Sequence, residues 1–323
     1  MDGVTDNRGG ASQEKTRKQH TVSRTILRRF VEETSGLLES FDLIHGGWNA
    51  RSPGAVGVIR DFLAHDPSSA EERWQEIEDR VPLVYAAIES RTLLNDDWLV
   101  SLAKDVVALH VVRSWTRFDV HLAVLSRSKD DLIPKLLQDP AWLAARFFER
   151  TGIHLAGSEA LLQQARREAD MYAKVEFTES FKQWRIMLNL EEARIFLRPA
   201  GVEVIEAAPD AGRFMISDNP AAQLKAGYQG LGPLTGVSWQ ETDMVVLPLS
   251  PTITLGVTMK GVSRWVMASE GGVHMLNCIQ LSNAKQRVFY RPSESRRNLA
   301  LRAIEARRHR PETLGPTLID LKL

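Results

Sequence analysis

One cysteine in 323 residues, Cys278, leaves the chain without an intramolecular disulfide and without the several thiolates of a cysteine-rich zinc module. Charge of one sign is equally scarce: 41 Lys and Arg offset 41 Asp and Glu, for a formal net charge of +0. That balance excludes proteins that act through a global field, such as histone-like DNA coaters or polybasic membrane binders, so any nucleic-acid role must rest on a local patch. Long hydrophobic runs are missing too. The most apolar stretch, Met244 to Met259, is interrupted by Pro248 and Pro251 and is too short to span a bilayer. Met1 to Gln13 is polar and lacks the apolar core of a secretory signal, so a cytoplasmic chain with no membrane contact is expected. Gly9-Gly10, Gly46-Gly47 and Gly271-Gly272 are not followed by the Gly-Lys-Ser/Thr of a phosphate-binding loop, and Ser217 lacks the glycines of a nucleophile elbow. No His-Glu-x-x-His spacing marks a metal site. Neither metal nor cofactor is predicted, with ligands dispersed along the chain left open.

What remains is an ordinary folded chain, 43% hydrophobic and 25% charged, long enough for one large domain or two smaller ones. Residues 1–14 and 311–323 read as tails, and 15–310 as a single domain with a helical insertion at about 68–192. Val22, Ile26, Leu27 and Phe30 predict a short helix, and 37–44 a strand that ends at Gly46-Gly47. Residues 56–63 fit a strand or a short helix. Ser68-Ser69 can cap a helix carrying Trp74, Ile77, Val81, Val84, Tyr85 and Ile88, which Pro82 should kink or split. Asn95 is the expected cap of the next helix, 98–126, and further helices fit 131–137, 140–151, 158–176 and 180–190. After Glu192, short apolar segments at 193–197, 202–205, 213–216, 244–249 and 252–257 predict a small sheet, before helices return at 272–289 and 293–308. The predicted class is α+β: an N-terminal segment and a small C-terminal mixed sheet packed together, with a large central helical layer.

Charge is segregated locally. From Asp61 to Asp97, ten acidic residues stand against Arg73, Arg80 and Arg91; from Lys285 to Arg310, nine basic residues, among them Arg287, Arg291, Arg296 and Arg297, face only Glu294 and Glu305. A second basic cluster, Lys15, Arg17, Lys18, Arg24, Arg28 and Arg29, contains no acid. Arginine forks match phosphate oxygens, so these clusters are candidate surfaces for nucleic acid or another phosphate-bearing ligand. The alternative is a solvated helix face, or pairing of the basic end with the acidic helix.

The 98–126 helix is apolar over most of its circumference and is expected at the centre of the fold. On a helical wheel His110, Ser114, Arg117 and His121 fall on one stripe, with Arg113 beside it. Two guanidiniums and two imidazoles on a buried face need an anion, a carboxylate or water among them, which suggests an anion pocket. A solvent-facing edge is the alternative.

Three short segments stand out: Lys18-Gln19-His20 ahead of Leu27-Arg28-Arg29-Phe30, the strand end Ser217-Asp218-Asn219-Pro220, and Pro248-Leu249-Ser250-Pro251. The Asp218 strand end gathers short polar side chains where active sites often lie, or else forms an Asx turn on its own backbone. In this order, together with Leu276-Asn277, the segments resemble the domain-of-unknown-function 4238 family over residues 18–291. This sequence departs from the family at Thr21 and Ser23, where Tyr and Pro are favoured. The resemblance implies no activity; it implies that His20, Asp218 and Asn219 converge, with Arg113 joining them.

Such a pocket could transfer protons through His20, fix its tautomer with Asp218 and stabilise phosphoryl charge with Arg113. The expectation is an enzyme acting on a phosphate-containing substrate such as nucleic acid by metal-independent chemistry. His20, Asp218 and Asn219 are the catalytic candidates, and Gln19, Arg113, Arg117 and Asn277 the substrate-binding ones. The alternative is a non-catalytic protein- or nucleic-acid-binding module using Arg287, Arg291, Arg296 and Arg297. Oligomeric state is left open. Cys278, beside apolar Ile279, is expected to be a small buried residue and not a nucleophile.

Overall fold

Proline and short capping side chains set where the helices begin. A computed structural model describes residues 18–60, 67–114, 138–152, scattered positions from 154 to 167, 188–225, 239–259 and 261–292. Helix α1 (Arg24–Leu27) runs into a single 3-10 turn at Arg28–Phe30 and buries Ile26, Leu27 and Phe30. The acidic segment divides into α2 (Pro67–Glu78) and α3 (Val81–Glu89), and Pro82 sits in the first turn of α3, where its missing N–H costs no hydrogen bond. Helix α4 (Asp97–Val112) is capped by Asp96, one residue beyond the expected Asn95: its carboxylate accepts from the N–H groups of Trp98 and Leu99 at 2.8 and 3.1 Å. Arg113 closes α4, which corrects the single helix expected over 98–126 to one that stops at Val112; residues 115–126 lie outside the described residues, as do the helices expected at 131–137 and 293–308 and most of 158–176 and 180–190. Helix α5 (Pro140–Thr151) follows its predicted span.

Residues 188–197 form α6, which corrects the strand expected at 193–197. Leu190, Ala193 and Leu197 are buried at helical spacing while Ile195 is exposed, a period of three to four that a five-residue window cannot show.

Among the described residues, eleven strands form two larger sheets and one ribbon, in place of one small sheet. The ribbon pairs β1 (Lys18–His20) with β4 (Val58–Arg60), antiparallel, His20 opposite Val58. In the four-stranded antiparallel sheet, β3 (Trp48–Arg51), β2 (Leu38–Asp42), β11 (Arg287–Tyr290) and β6 (Ile216–Ser217) lie in that order. The N- and C-terminal parts therefore share a sheet, with Phe41 opposite Val288. Gly46 and Gly47, at φ +74° and +107°, supply the left-handed turn between β2 and β3. The expected helix 272–289 is also corrected: α7 (Glu270–Asn283) stops at an extended Ala284, and the β-formers Val288, Phe289 and Tyr290 join the sheet.

The five-stranded sheet has the order β10 (Arg264–Ala268), β5 (Gly201–Ala207), β9 (Ile253–Thr258), β8 (Met244–Pro248), β7 (Ala222–Leu224), antiparallel except for β10 on β5. Alternation along the strands divides its side chains between two cores. Val202, Val204, Val245, Leu247, Leu255 and Val257 pack with α4, whereas Ile205, Leu224 and Val246 pack with Val273, Leu276 and Ile279 of α7. The α+β architecture thus places the sheet between the α2–α4 helical layer and α7, and α4 at the centre of the larger core.

Candidate functional site

The stripe on α4 points inward. His110, Arg113 and Ser114 are all buried, which removes the solvent-edge reading for these three; Arg117 and His121 lie outside the described residues. His110 Nε2 accepts the backbone N–H of Ser23 at 3.2 Å, and its Nδ1 lies 2.8 Å from the Val106 carbonyl. An acceptor role for Nε2 and a carbonyl opposite Nδ1 fix the neutral tautomer protonated on Nδ1. Burial pushes the imidazole down to about 4, and the Arg113 charge acts in the same direction. Arg113 does not face an empty pocket: Nη1 donates to Glu78 at 2.7 Å, and the guanidinium lies over the Trp74 ring at 4.6 Å. Burial works to raise the Glu78 carboxyl, but the charge and hydrogen bond of Arg113 outweigh it and hold the pKa below the usual carboxylate range.

His20, at the end of β1, stands at the outer side of this group and is half-buried. Thr21 anchors the strand end through its N–H and hydroxyl, both donated to the Gly57 carbonyl. Burial first, then the charges of Arg24 and Arg113, lower the His20 pKa below the ordinary histidine value; Glu78 and a backbone hydrogen bond at Val56 oppose them. Arg24 is exposed and has no ion-pair partner among the described residues. Five ionisable side chains thus grade from solvent to core: Arg24, His20, Glu78, Arg113, His110.

Asp218 and Asn219 belong to a different nest. The Asp218 carboxylate accepts the backbone N–H groups of Lys285, Gln286 and Arg287, each at 2.9 Å, and not a bond from its own turn. Burial raises its pKa, while those three amides and the Arg287 charge pull it down. Helix α7 fastens the surrounding strand with three amide side chains on one face. Asn277 accepts from Met215 N–H and donates to the Arg213 carbonyl, at 2.8 and 3.0 Å. Gln280 accepts from the N–H and hydroxyl of Ser217 and donates to the Pro220 carbonyl. Asn283 donates to the carbonyls of Asn219 and Ala221, and Asn219 Nδ2 returns a bond to the Asn283 carbonyl. The Ser-Asp-Asn-Pro segment, with Asn277, is a latch between β6, α7 and β11.

The Pro248–Pro251 segment forms the β8–β9 turn. Ser250 Oγ accepts from the N–H groups of Thr252 and Ile253, and buried Tyr85 donates to the Leu249 carbonyl at 2.5 Å.

With these segments placed, the match to known families is decisive: the family described as "Protein of unknown function (DUF4238)" matches residues 18–294. The chain belongs to the DUF4238 family. No curated protein and no solved structure matches it.

Within this DUF4238 chain, His20 and Arg113 share one polar group, whereas Asp218, Asn219 and Asn277 share the latch. Gln19 pairs through its backbone with Ile59 in the β1–β4 ribbon. Glu78, bonded to Arg113, is the carboxylate of this group in place of Asp218, and Arg24 is a cation with no ion-pair partner among the described residues; a position in the 15–29 basic cluster was the sole signal for Arg24. Arg287 and Arg291 reach Asp42 and Glu33 at 3.6 and 2.8 Å, and Arg296 and Arg297 lie outside the described residues. Cys278 is partly exposed, 3.6 Å from His274 Nε2, and burial raises its thiol pKa. Among the described residues no group of three or more His, Cys, Asp or Glu could hold a metal ion, and no helix is long and apolar enough to cross a membrane. An open cleft of about 430 Å³ runs between α4 and α6. Its Arg194 is engaged by Asp105 at 3.0 and 2.8 Å, and its Lys104 by the Arg198 carbonyl.

Proposed function

We propose that this protein is an enzyme acting on a phosphate-containing substrate such as nucleic acid, with His20 as its proton-transfer group and without need of a metal. The observation that carries the reading is the setting of His20: a half-buried imidazole, its pKa lowered by burial, beside an exposed Arg24 that has no ion-pair partner among the described residues. A neutral imidazole can take a proton from an attacking hydroxyl and return it to a leaving oxygen, and a neighbouring guanidinium offsets charge gathering on phosphorus-bound oxygens. Glu78 fits a supporting role, since it steadies Arg113 and favours the protonated His20 that such a cycle must pass through.

The rival reading, a binding module working through Arg287, Arg291, Arg296 and Arg297, draws less support because Arg287 and Arg291 already face carboxylates. Labelled RNA and DNA incubated with the wild-type and His20→Ala proteins, with and without EDTA, test the proposal. Cleavage that survives EDTA and vanishes in the variant is the expected result. Cleavage unchanged in a folded His20→Ala protein removes His20 from the chemistry, and intact nucleic acid throughout favours the binding module.

A further inference from the structure

His110 is a titratable side chain that the proposed chemistry does not use, and it is fully buried, at 0% exposed. It serves the stretch of chain between His20 and Arg24, which three polar contacts hold to the core. Thr21 donates its N–H and hydroxyl to the Gly57 carbonyl, the Ser23 hydroxyl donates to the Glu78 carboxylate, and the Ser23 N–H donates to His110 Nε2 at 3.2 Å. Ser23 stands at the N-cap of α1 without capping it, so both of its donors face the core. The three acceptors respond differently to acid. A carbonyl keeps its lone pairs, and a carboxyl still accepts when protonated, whereas an imidazolium has no lone pair left to offer. Nδ1 already faces the Val106 carbonyl at 2.8 Å, so an added proton must go on Nε2, where N–H would then meet N–H. Arg113 on the same helix opposes that proton and Glu78 of α2 favours it, while His20 and Arg24 lie at the two ends of the turn. Helix α3 and the five-stranded sheet meet α4 through apolar side chains and Tyr85, whose hydroxyl burial keeps un-ionised.

We infer that His110 is a positioning residue for the His20–Arg24 turn and that its protonation releases the turn, so that the His20 site is gated by a second histidine buried behind it. Release means a shift of the turn and not detachment of the segment, because Val22, Ile26, Leu27 and Phe30 remain packed in the core. In the neutral state the Ser23 bond fixes the backbone that carries His20 on one side and Arg24 on the other. In the protonated state two donors face each other there, and the turn must move to part them. The inference deepens the proposed function and rests on it for what the site does, but the gate is read without turnover.

The test is an NMR pH titration of the full chain from pH 7.5 downward, following the ring nitrogens of His110 and the backbone amide of Ser23. At pH 7.5 the His110 ring should carry its proton on Nδ1 and accept at Nε2, and the Ser23 amide should move with the same midpoint as the His110 ring. His110→Gln places an amide oxygen near the position of Nε2 and does not titrate, so its Ser23 amide should stay hydrogen-bonded throughout. His110→Leu removes the acceptor, and its Ser23 amide should exchange with solvent at pH 7.5 roughly tenfold faster than in His110→Gln, the loss expected of one hydrogen bond. Where His110→Leu does not fold, the comparison of wild type with His110→Gln decides alone. A Ser23 shift that persists in His110→Gln belongs to His20 and overturns the gate, as does unfolding of the whole chain before the Ser23 amide moves, even if His20-dependent cleavage is found. A Ser23 amide that follows His110 in a protein that cleaves no nucleic acid upholds the gate and removes the enzymatic reading alone.

Discussion

Ser23 donates its backbone N–H to Nε2 of His110 at 3.2 Å, a bond across 87 residues that ties the turn between His20 and Arg24 to the central helix. Because Nε2 must accept, the bond exists only while His110 is neutral. The position of the His20 segment is therefore linked to the charge state of a residue it does not touch in sequence.

That link sets the sign of an acid response. The His110 pKa falls from 6.5 to about 4 on folding, so between those values the unfolded chain binds more protons. Its contribution is fully present above pH 6.5, is lost progressively as the pH falls toward 4, and amounts to roughly 3 kcal/mol. His20, also lowered, acts in the same direction. Urea midpoints measured from pH 7.5 to 4.5 should fall steeply in the wild type and less steeply in His110→Gln. Parallel pH profiles for the two proteins would mean that His110 is not the group responsible.

Arg113 and Glu78 form a buried pair, so removing one partner strands the other. Arg113→Met should destabilise the protein by about 3 kcal/mol, and Glu78→Gln added to it should restore part of that loss, because the uncompensated carboxylate is then gone. A double-mutant cycle by denaturant unfolding reads the coupling. Strictly additive losses would show that the pair is weaker than its 2.7 Å geometry implies.

Asp218→Ala leaves three backbone amides of the α7–β11 turn without their acceptor and should cost at least about 2 kcal/mol. The His20 imidazole should keep its lowered pKa in Asp218→Asn under conditions where that variant is folded. A His20 titration displaced by the substitution would join the latch to the proton-transfer group.

Gly201 and Gly256 face each other's neighbourhoods in β5 and β9 but differ in what an added methyl would meet. At Gly201 it would run into the backbone of Gly261 and Val262, with carbonyl carbons at 2.8 and 2.9 Å; at Gly256 the crowding comes chiefly from the far end of Met244. Gly201→Ala should lose more than about 2 kcal/mol and Gly256→Ala less than about 1 kcal/mol, because backbone cannot move aside as a methionine tip can. Thermal unfolding that ranks them the other way would place the tight contact elsewhere.

The elements most legible in the sequence are those whose local pattern and burial agree. Helix α4 shows its central position through an apolar surface over most of its circumference, and Pro82 marks the break between α2 and α3. The segment 193–197 misleads because Ala-Arg-Ile-Phe-Leu is short and apolar, and its helical period emerges only with Leu190. Strands β3 and β10 escape notice because edge strands expose much of their length and carry little alternation. The candidate site divides in the same way. Arg113 and His110 can be picked out as rare polar groups on an apolar helix and His20 through the Lys18-Gln19-His20 motif, but the pairing of Arg113 with Glu78 spans 35 residues and leaves no local trace. The Asp218 motif looks like a site for the same reason that it is a latch: both need short polar side chains held at a strand end.

The most direct measurement is the pH–rate profile for cleavage of labelled RNA by the wild-type, His20→Ala and Arg24→Gln proteins, each shown to be folded. A His20-centred site predicts a rate that rises with an ionisation below the ordinary histidine value, is abolished in His20→Ala and is weakened in Arg24→Gln chiefly through substrate affinity. A profile and rate shared by all three proteins would contradict it.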